Sequence, residues 1–262
     1  MSFPEFVRNR GAFTTAGDKK TSGNGSVMRN AGVCCAFWAD SEEAMRQAAL
    51  QSRTTHQGTE AAECCRLMAL LCTRAAQSKP GDARTFLDLA LAEFVSPEYG
   101  VSCLARSEAE TRQPCNEEHD LADRNWNWKD PGFRYSPKRA QQQPGYVGSY
   151  AMDALAMALH CVYSTRSLRE AMLRCANLCG DADSVTAVCG QIAGAIYGSA
   201  QIPPKWIALV EKWAGDTIAL RAFKLHHGKR VQPPSVAVVE QALRMDAEFY
   251  QSTVALDKVK KA

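Results

Sequence analysis

"TEAAECCRLMALLCTRAA", residues 59–76, decides the fold class. Ala61, Cys64, Cys65, Met68, Leu71, Cys72 and Ala75 recur at i, i+3, i+4 and i+7, the stripe an amphipathic helix turns toward a core. The same period returns in "DARTFLDLALAEFV" (82–95), with Phe86, Leu87, Ala90, Leu91 and Phe94. In "SYAMDALAMALHCVY" (149–163) it is carried by Met152, Leu155, Ala156, Leu159 and Tyr163. "SEEAMRQAALQS" (41–52) follows Asp40, a cap with Glu43 placed to reach back, and "SLREAMLRCANL" (167–178) opens with Ser167 and Glu170 as a capping box. No stretch alternates apolar and polar residues as a half-buried strand does. The pattern predicts an all-α protein.

Between Ser96 and Gln143 the helical period breaks. "SPEYG", "RQPCNEEHD" and "QQQPG" read as loop, and "NWNWKDPGFRY" packs aromatics among turn formers. Trp126 and Trp128 in that stretch are expected to pack the loop rather than stack on a base. A helical domain is expected over 1–227, followed by a C-terminal helix, "VAVVEQALRMDAEFY", and a charged tail over 228–262.

Composition narrows the function. Lysine and arginine number 31 against 28 aspartates and glutamates, a net charge of +3 that is too weak to argue for nucleic acid. The 11 cysteines are odd in number and sit partly as adjacent pairs on apolar faces, Cys34/Cys35 and Cys64/Cys65. That is the behaviour of small buried hydrophobes in a reducing compartment, and a cytoplasmic location is expected. No apolar run is long enough to span a bilayer, so no membrane partner is expected.

Four stretches carry possible chemistry. "NLCGDADSVTAVCGQIAGAIYG" (177–198) brings Asp181, Asp183 and Ser184 to the start of a small-residue helix. Asp183 could be a plain cap. As a set, the three offer hard oxygens within one turn, suited to Mg²⁺. Gly190 and Gly194 each cost about 1 kcal/mol inside a helix relative to Ala. Close approach of a neighbouring backbone is the expected compensation, with this helix central and Gly198 ending it. "TSGNGSVMRNAGV" (21–33) holds a tight turn, Gly23, Asn24, Gly25 and Ser26, of the kind that offers backbone N–H groups to an anion, with Arg29 nearby for charge. It could equally be a connecting turn. "RTTHQGTEA" (53–61) places His56 between two helices, as a packing residue or a polar contact to a ligand. "QPGYVGSYAMD" (143–153) supplies Gly145, Tyr146 and Val147 just before a helix.

Taken in order, these four stretches resemble the ADP-ribosylglycohydrolase family, which includes the dinitrogenase-reductase-activating glycohydrolases. The likeness runs from about Gly23 to "IPPKW" (202–206) and is most specific in the Gly-Asp-x-Asp-Ser segment. The resemblance implies a single-domain orthogonal helical bundle that hydrolyses ADP-ribosyl bonds on a protein side chain or small acceptor, with Mg²⁺, commonly a pair of ions, at the mouth of a cleft. Carried over, Asp181, Asp183 and Ser184 would be metal ligands and the two aspartates the catalytic carboxylates. Gly23, Asn24, Gly25, Ser26 and Arg29 would cradle ADP-ribose, with His56, Gly145, Tyr146 and Val147 as further contacts. The family also carries an N-terminal Gly-Asp-Ala stretch and a Thr-Asp-Asp-Thr run that completes the metal site. The first residues here offer only Glu5 and Asp18, in no matching motif. The metal site is therefore expected to be half complete. That leaves a second reading, a non-catalytic relative that binds ADP-ribose or ADP-ribosylated protein.

Overall fold

The computed structural model describes residues 22–78, 80–110, 124–134, 148–215 and 217–228. Among these the chain forms ten α-helices and no strand, only two isolated bridges, Gly23 with Tyr150 and Ala109 with Asn125. The helices are α1 (Ala31–Ala36), α2 (Ser41–Arg53), α3 (Thr59–Ser78), α4 (Ala83–Ala92), α5 (Tyr99–Arg106), α6 (Ala151–Tyr163), α7 (Leu168–Ala176), α8 (Ala182–Tyr197), α9 (Pro204–Ala214) and α10 (Thr217–His227). The chain divides into a unit of Met1–His226 and a second of His227–Ala262. The core and the site below belong to the first. The expected C-terminal helix at 236–250 lies outside the described residues. No described helix is long and apolar enough to cross a membrane.

Helix α3 is the central element. All seven residues of its predicted stripe are buried, and so are Glu60, Ala62, Glu63, Leu67, Ala69, Leu70 and Thr73 around them. Helix α6 is buried from Ala151 through Val162. Each fully buried leucine or methionine here contributes about 1.5–3 kcal/mol by leaving water. Helix α2 packs along α3, and α8 packs against α3, α6 and α7. The caps follow the sequence. Asp40 accepts from the Glu43 amide and Ser167 from the Glu170 amide, while the Glu170 carboxylate reaches back to the Arg166 N–H. The Glu43 carboxylate turns instead to Arg46 and Gln47. All ten described cysteines are free, and all but Cys35 and Cys179 are buried.

Two expectations need correction. The small-residue helix α8 is not the central one. It buries a single face, Val185, Val188, Cys189, Ile192, Ala193 and Ile196. Among the described residues no backbone presses on its glycines: a Cβ at Gly190 would meet only the Met172 side chain, at 3.4 Å, and one at Gly194 would meet nothing within 4 Å. Gly198 does end the helix, at φ +77°. The second correction is α5, a helix inside the stretch read as loop. Its eight residues, entered straight after Pro97 and left through Ser107 at φ +61°, are too short for a periodic stripe to stand out. Trp126 and Trp128 pack as expected, both buried, with their indole N–H groups donating to Glu110 Oε1 and the Leu104 carbonyl.

Candidate functional site

The loop at 22–26 is held by α6's entry and by the corner between α2 and α3. The Ala151 amide donates to the Ser22 carbonyl at 2.9 Å and the Asn24 amide to the Ser149 carbonyl at 2.8 Å, closing the short bridge between Gly23 and Tyr150. Asn24, Gly25 and Ser26 then form one 3-10 turn. Asn24 is buried, and its side-chain amide donates to the Gly148 carbonyl at 2.8 Å and to Asp181 Oδ2 at 2.7 Å. One side chain thereby joins three stretches separated by 124 and 157 residues of sequence.

His56 closes the other side of the loop. A Cβ on Gly23 would stand 3.3 Å from its imidazole, and one on Gly25 only 2.8 Å from Cε1. A side chain at either position would crowd the ring. Nδ1 of His56 is 2.7 Å from Thr55 Oγ1, which accepts from Arg29 Nη2 at 2.6 Å. Arg29 also reaches the Gly25 carbonyl and both the backbone and side chain of Gln51. Burial pushes the His56 pKa below its ordinary value, and the nearby Arg29 charge adds to the effect. Both effects disfavour a charge on the ring. Gln191 of α8 donates to the Met28 carbonyl at 2.7 Å, tying that helix to the segment after the loop.

Asp181 is the N-cap residue of α8, yet its carboxylate makes no capping bond to its own helix. It is half-buried and spent on Asn24 instead. Asp183 lies in the first turn, exposed, and Ser184 beside it is partly covered, so the plain-cap reading of Asp183 does not describe its place. The approach to this turn is sharp, with Cys179 at φ +65° and Gly180 at φ +70°. The oxygens of Asp181, Asp183 and Ser184 match Mg²⁺ in kind, but three donors fall short of the near-octahedral set the ion prefers. Among the described residues no group of three or more His, Cys, Asp or Glu is placed to hold a metal.

Of the sequence-predicted site residues, the fold brings together Gly23, Asn24, Gly25, Arg29, His56 and Asp181, with Asp183 and Ser184 on the adjoining turn. Ser26 is in the loop, but its side chain faces inward. Its Oγ accepts from Ser52 Oγ at 2.8 Å and is fully buried, so it anchors the turn to α2 rather than meeting a ligand. Gly145, Tyr146 and Val147 lie outside the described residues. Their neighbours Gly148 and Ser149 supply the carbonyls that Asn24 uses. Sequence reasoning placed Asn24 in the ADP-ribose cradle but not as the bond that joins three stretches, and it gave Tyr150, Glu60 and Arg124 no part. The visible signal was Glu60, a carboxylate in the opening turn of α3.

A family model described as ADP-ribosylglycohydrolase matches residues 3–234. The chain is 31% identical over 193 residues to ADP-ribosylarginine hydrolase Tri1 of Pseudomonas putida (strain GB-1), covering 74% of this chain and 43% of that one. It is 29% identical over 79 residues to the ADP-ribosyl-dinitrogen reductase glycohydrolase of Rhodospirillum rubrum, covering 30% of this chain and 25% of that one. A solved structure titled ADP-ribosylglycohydrolase-related protein complex superposes with a TM-score of 0.62 at 26% identity, covering 86% of this chain and 66% of that one. The chain thus spans less than half the length of the first of these relatives.

Proposed function

The chain belongs to the ADP-ribosylglycohydrolase family, and from that premise we propose that it hydrolyses the bond joining ADP-ribose to an arginine side chain of a protein. The observation that carries the reading is the Asn24 amide, which binds the Gly148 carbonyl and the Asp181 carboxylate at once. It sets the glycine turn, the segment before α6 and the carboxylate turn of α8 around one point.

Each group then has a task. The 23–26 turn and the cationic Arg29 receive the pyrophosphate, as tight turns with basic neighbours do. His56, whose charged form burial and Arg29 disfavour, packs against the turn. Cleavage of a glycosyl bond develops positive charge on the ribose. The carboxylates of Asp181 and Asp183 would offset that charge, and Asn24 donates to the first of them. Water takes the place of the arginine nitrogen at the ribose carbon, and the nitrogen leaves with a proton. Asp181, Asp183 and Ser184 would supply three of the oxygens that hold Mg²⁺, which when bound supplies polarisation and positioning of oxygen ligands.

The test is Asp183→Asn. This residue is exposed, so the helical circular dichroism should stay that of the parent while Mg²⁺-dependent ADP-ribose release is lost. A fully active Asp183→Asn variant would remove the carboxylate turn from the mechanism.

A further inference from the structure

Beneath the site lies a buried charged cluster to which the proposed reaction gives no part. Arg124 is its centre. Nη2 donates to Glu60 Oε1 at 2.8 Å, Nε to Glu110 Oε1 at 2.8 Å, and Nη1 to the Tyr150 hydroxyl at 3.0 Å. The Tyr150 hydroxyl in turn bonds Glu60 Oε2, and Trp126 Nε1 donates to Glu110 Oε1 at 2.7 Å. Arg124, Glu60 and Glu110 are each at most 5% exposed. Gly100 of α5 presses on the Arg124–Glu110 pair so closely that a Cβ there would stand 2.5 Å from the carboxylate and 2.6 Å from the guanidinium.

Two of these bonds of Arg124 go to segments that carry the site. Glu60 stands in the opening turn of α3, four residues after His56. Tyr150 is the residue whose backbone pairs with Gly23, directly after the Gly148 and Ser149 carbonyls that hold Asn24. A buried ion pair is a poor device for stability alone, since well-packed apolar groups do as well or better. What the planar guanidinium adds is direction, because its donors leave in fixed directions within one plane. We propose that Arg124 is a positioning residue: by holding Glu60 and Tyr150 in one plane it fixes the 148–150 segment against the 22–24 segment, and so sets the Asn24–Asp181 contact without touching the ligand. The use of that contact for ADP-ribose rests on the function proposed above, whereas the mechanical coupling does not.

Hydrogen exchange read by mass spectrometry on the full chain separates the two. Tyr150→Phe keeps the ring and removes the hydroxyl, and Arg124→Lys keeps the charge and removes the fork. In both, the Asn24 and Ala151 amides, bonded to Ser149 and Ser22, should exchange at least about tenfold faster, while amides inside α3 and α6 keep the parent rate. Should Arg124→Lys fail to fold, Tyr150→Phe decides alone. Parent rates at Asn24 and Ala151 would overturn the proposal. So would an equal acceleration in every helix, which marks a cluster that only stabilises the fold. Titration with free ADP-ribose accompanies the exchange, and Tyr150→Phe should bind about tenfold more weakly than the parent. A parent chain that binds no ADP-ribose would sink the proposed function and leave the exchange result to judge the coupling.

Discussion

Gly25 and His56 give the sharpest quantitative test of the site's geometry. In Gly25→Ala the new methyl would sit 2.8 Å from His56 Cε1 and 3.0 Å from Nε2. Carbon atoms in contact rest at about 3.5–4.0 Å, so the ring must retreat by about 0.7 Å or more. It cannot do so freely, because Nδ1 is engaged by Thr55, and Thr55 by Arg29. Overpacking of this kind costs about 1–3 kcal/mol. Gly25 is not at a positive φ, so the alanine adds no backbone strain and recovers about 0.4–1 kcal/mol by narrowing the unfolded ensemble. The single variant should therefore lose between about 0 and about 2.6 kcal/mol in urea unfolding. In a His56→Ala background the obstacle is gone, and the same substitution should be neutral or slightly stabilising. The coupling between the two positions should reach at least about 1 kcal/mol, inside the range for residues in contact. If Gly25→Ala costs the same with and without the imidazole, the ring does not lie on the turn and the description of the site is wrong.

Three further outcomes follow from the same contacts. Asp181→Ala leaves the Asn24 amide without its charged acceptor and should destabilise by about 1.5–3 kcal/mol, whereas Asp181→Asn can still accept and should cost less; equal losses in urea unfolding would contradict the bond. Gly100→Ala drives a methyl into the Arg124–Glu110 pair and should lower stability by about 1–3 kcal/mol, and an unchanged thermal midpoint would show that the cluster is not packed as described. Stability should also fall with acid. Burial lowers the pKa of His160 as it does that of His56, and Arg174, whose guanidinium stands 3.1 Å from Nε2, lowers it further. Because the unfolded chain binds these protons near pH 6.5 and the folded chain resists them, the loss begins as pH drops through about 6.5 and levels off below the folded values. His160→Gln should flatten the fall in urea midpoint between about pH 7.5 and 5.5, and a variant with the full slope would clear His160 of the effect.

The helical class was legible because α3, α4 and α6 each repeat apolar residues over several turns, and burial of those residues is a property of spacing. The same spacing could not say that Glu60 and Glu63 of α3 and Asp153 of α6 are buried too, since a carboxylate gives no such sign until its surroundings are known. The glycines of α8 pointed to a close packing that the fold does not make there, whereas the close approach lies at Gly23 and Gly25, against a histidine some thirty residues away in sequence. Site residues on turns were findable because Asp, Asn, Gly and His concentrate there. What joins them was not. The partners of Asn24 lie 124 and 157 residues along the chain, and no local pattern encodes a bond of that separation. Arg124 gave no signal at all, because a lone arginine at the end of a polar stretch looks like any solvated cation.

The central claim is that these residues form a site that hydrolyses an ADP-ribosyl bond, and the most direct measurement is ADP-ribose release from an ADP-ribosyl-arginine substrate by the purified chain, with Mg²⁺ in one set and EDTA in the other. Release that requires Mg²⁺ is the result expected. No release in either set, with free ADP-ribose still bound, would contradict hydrolysis and leave a protein that recognises ADP-ribose without cleaving its bond.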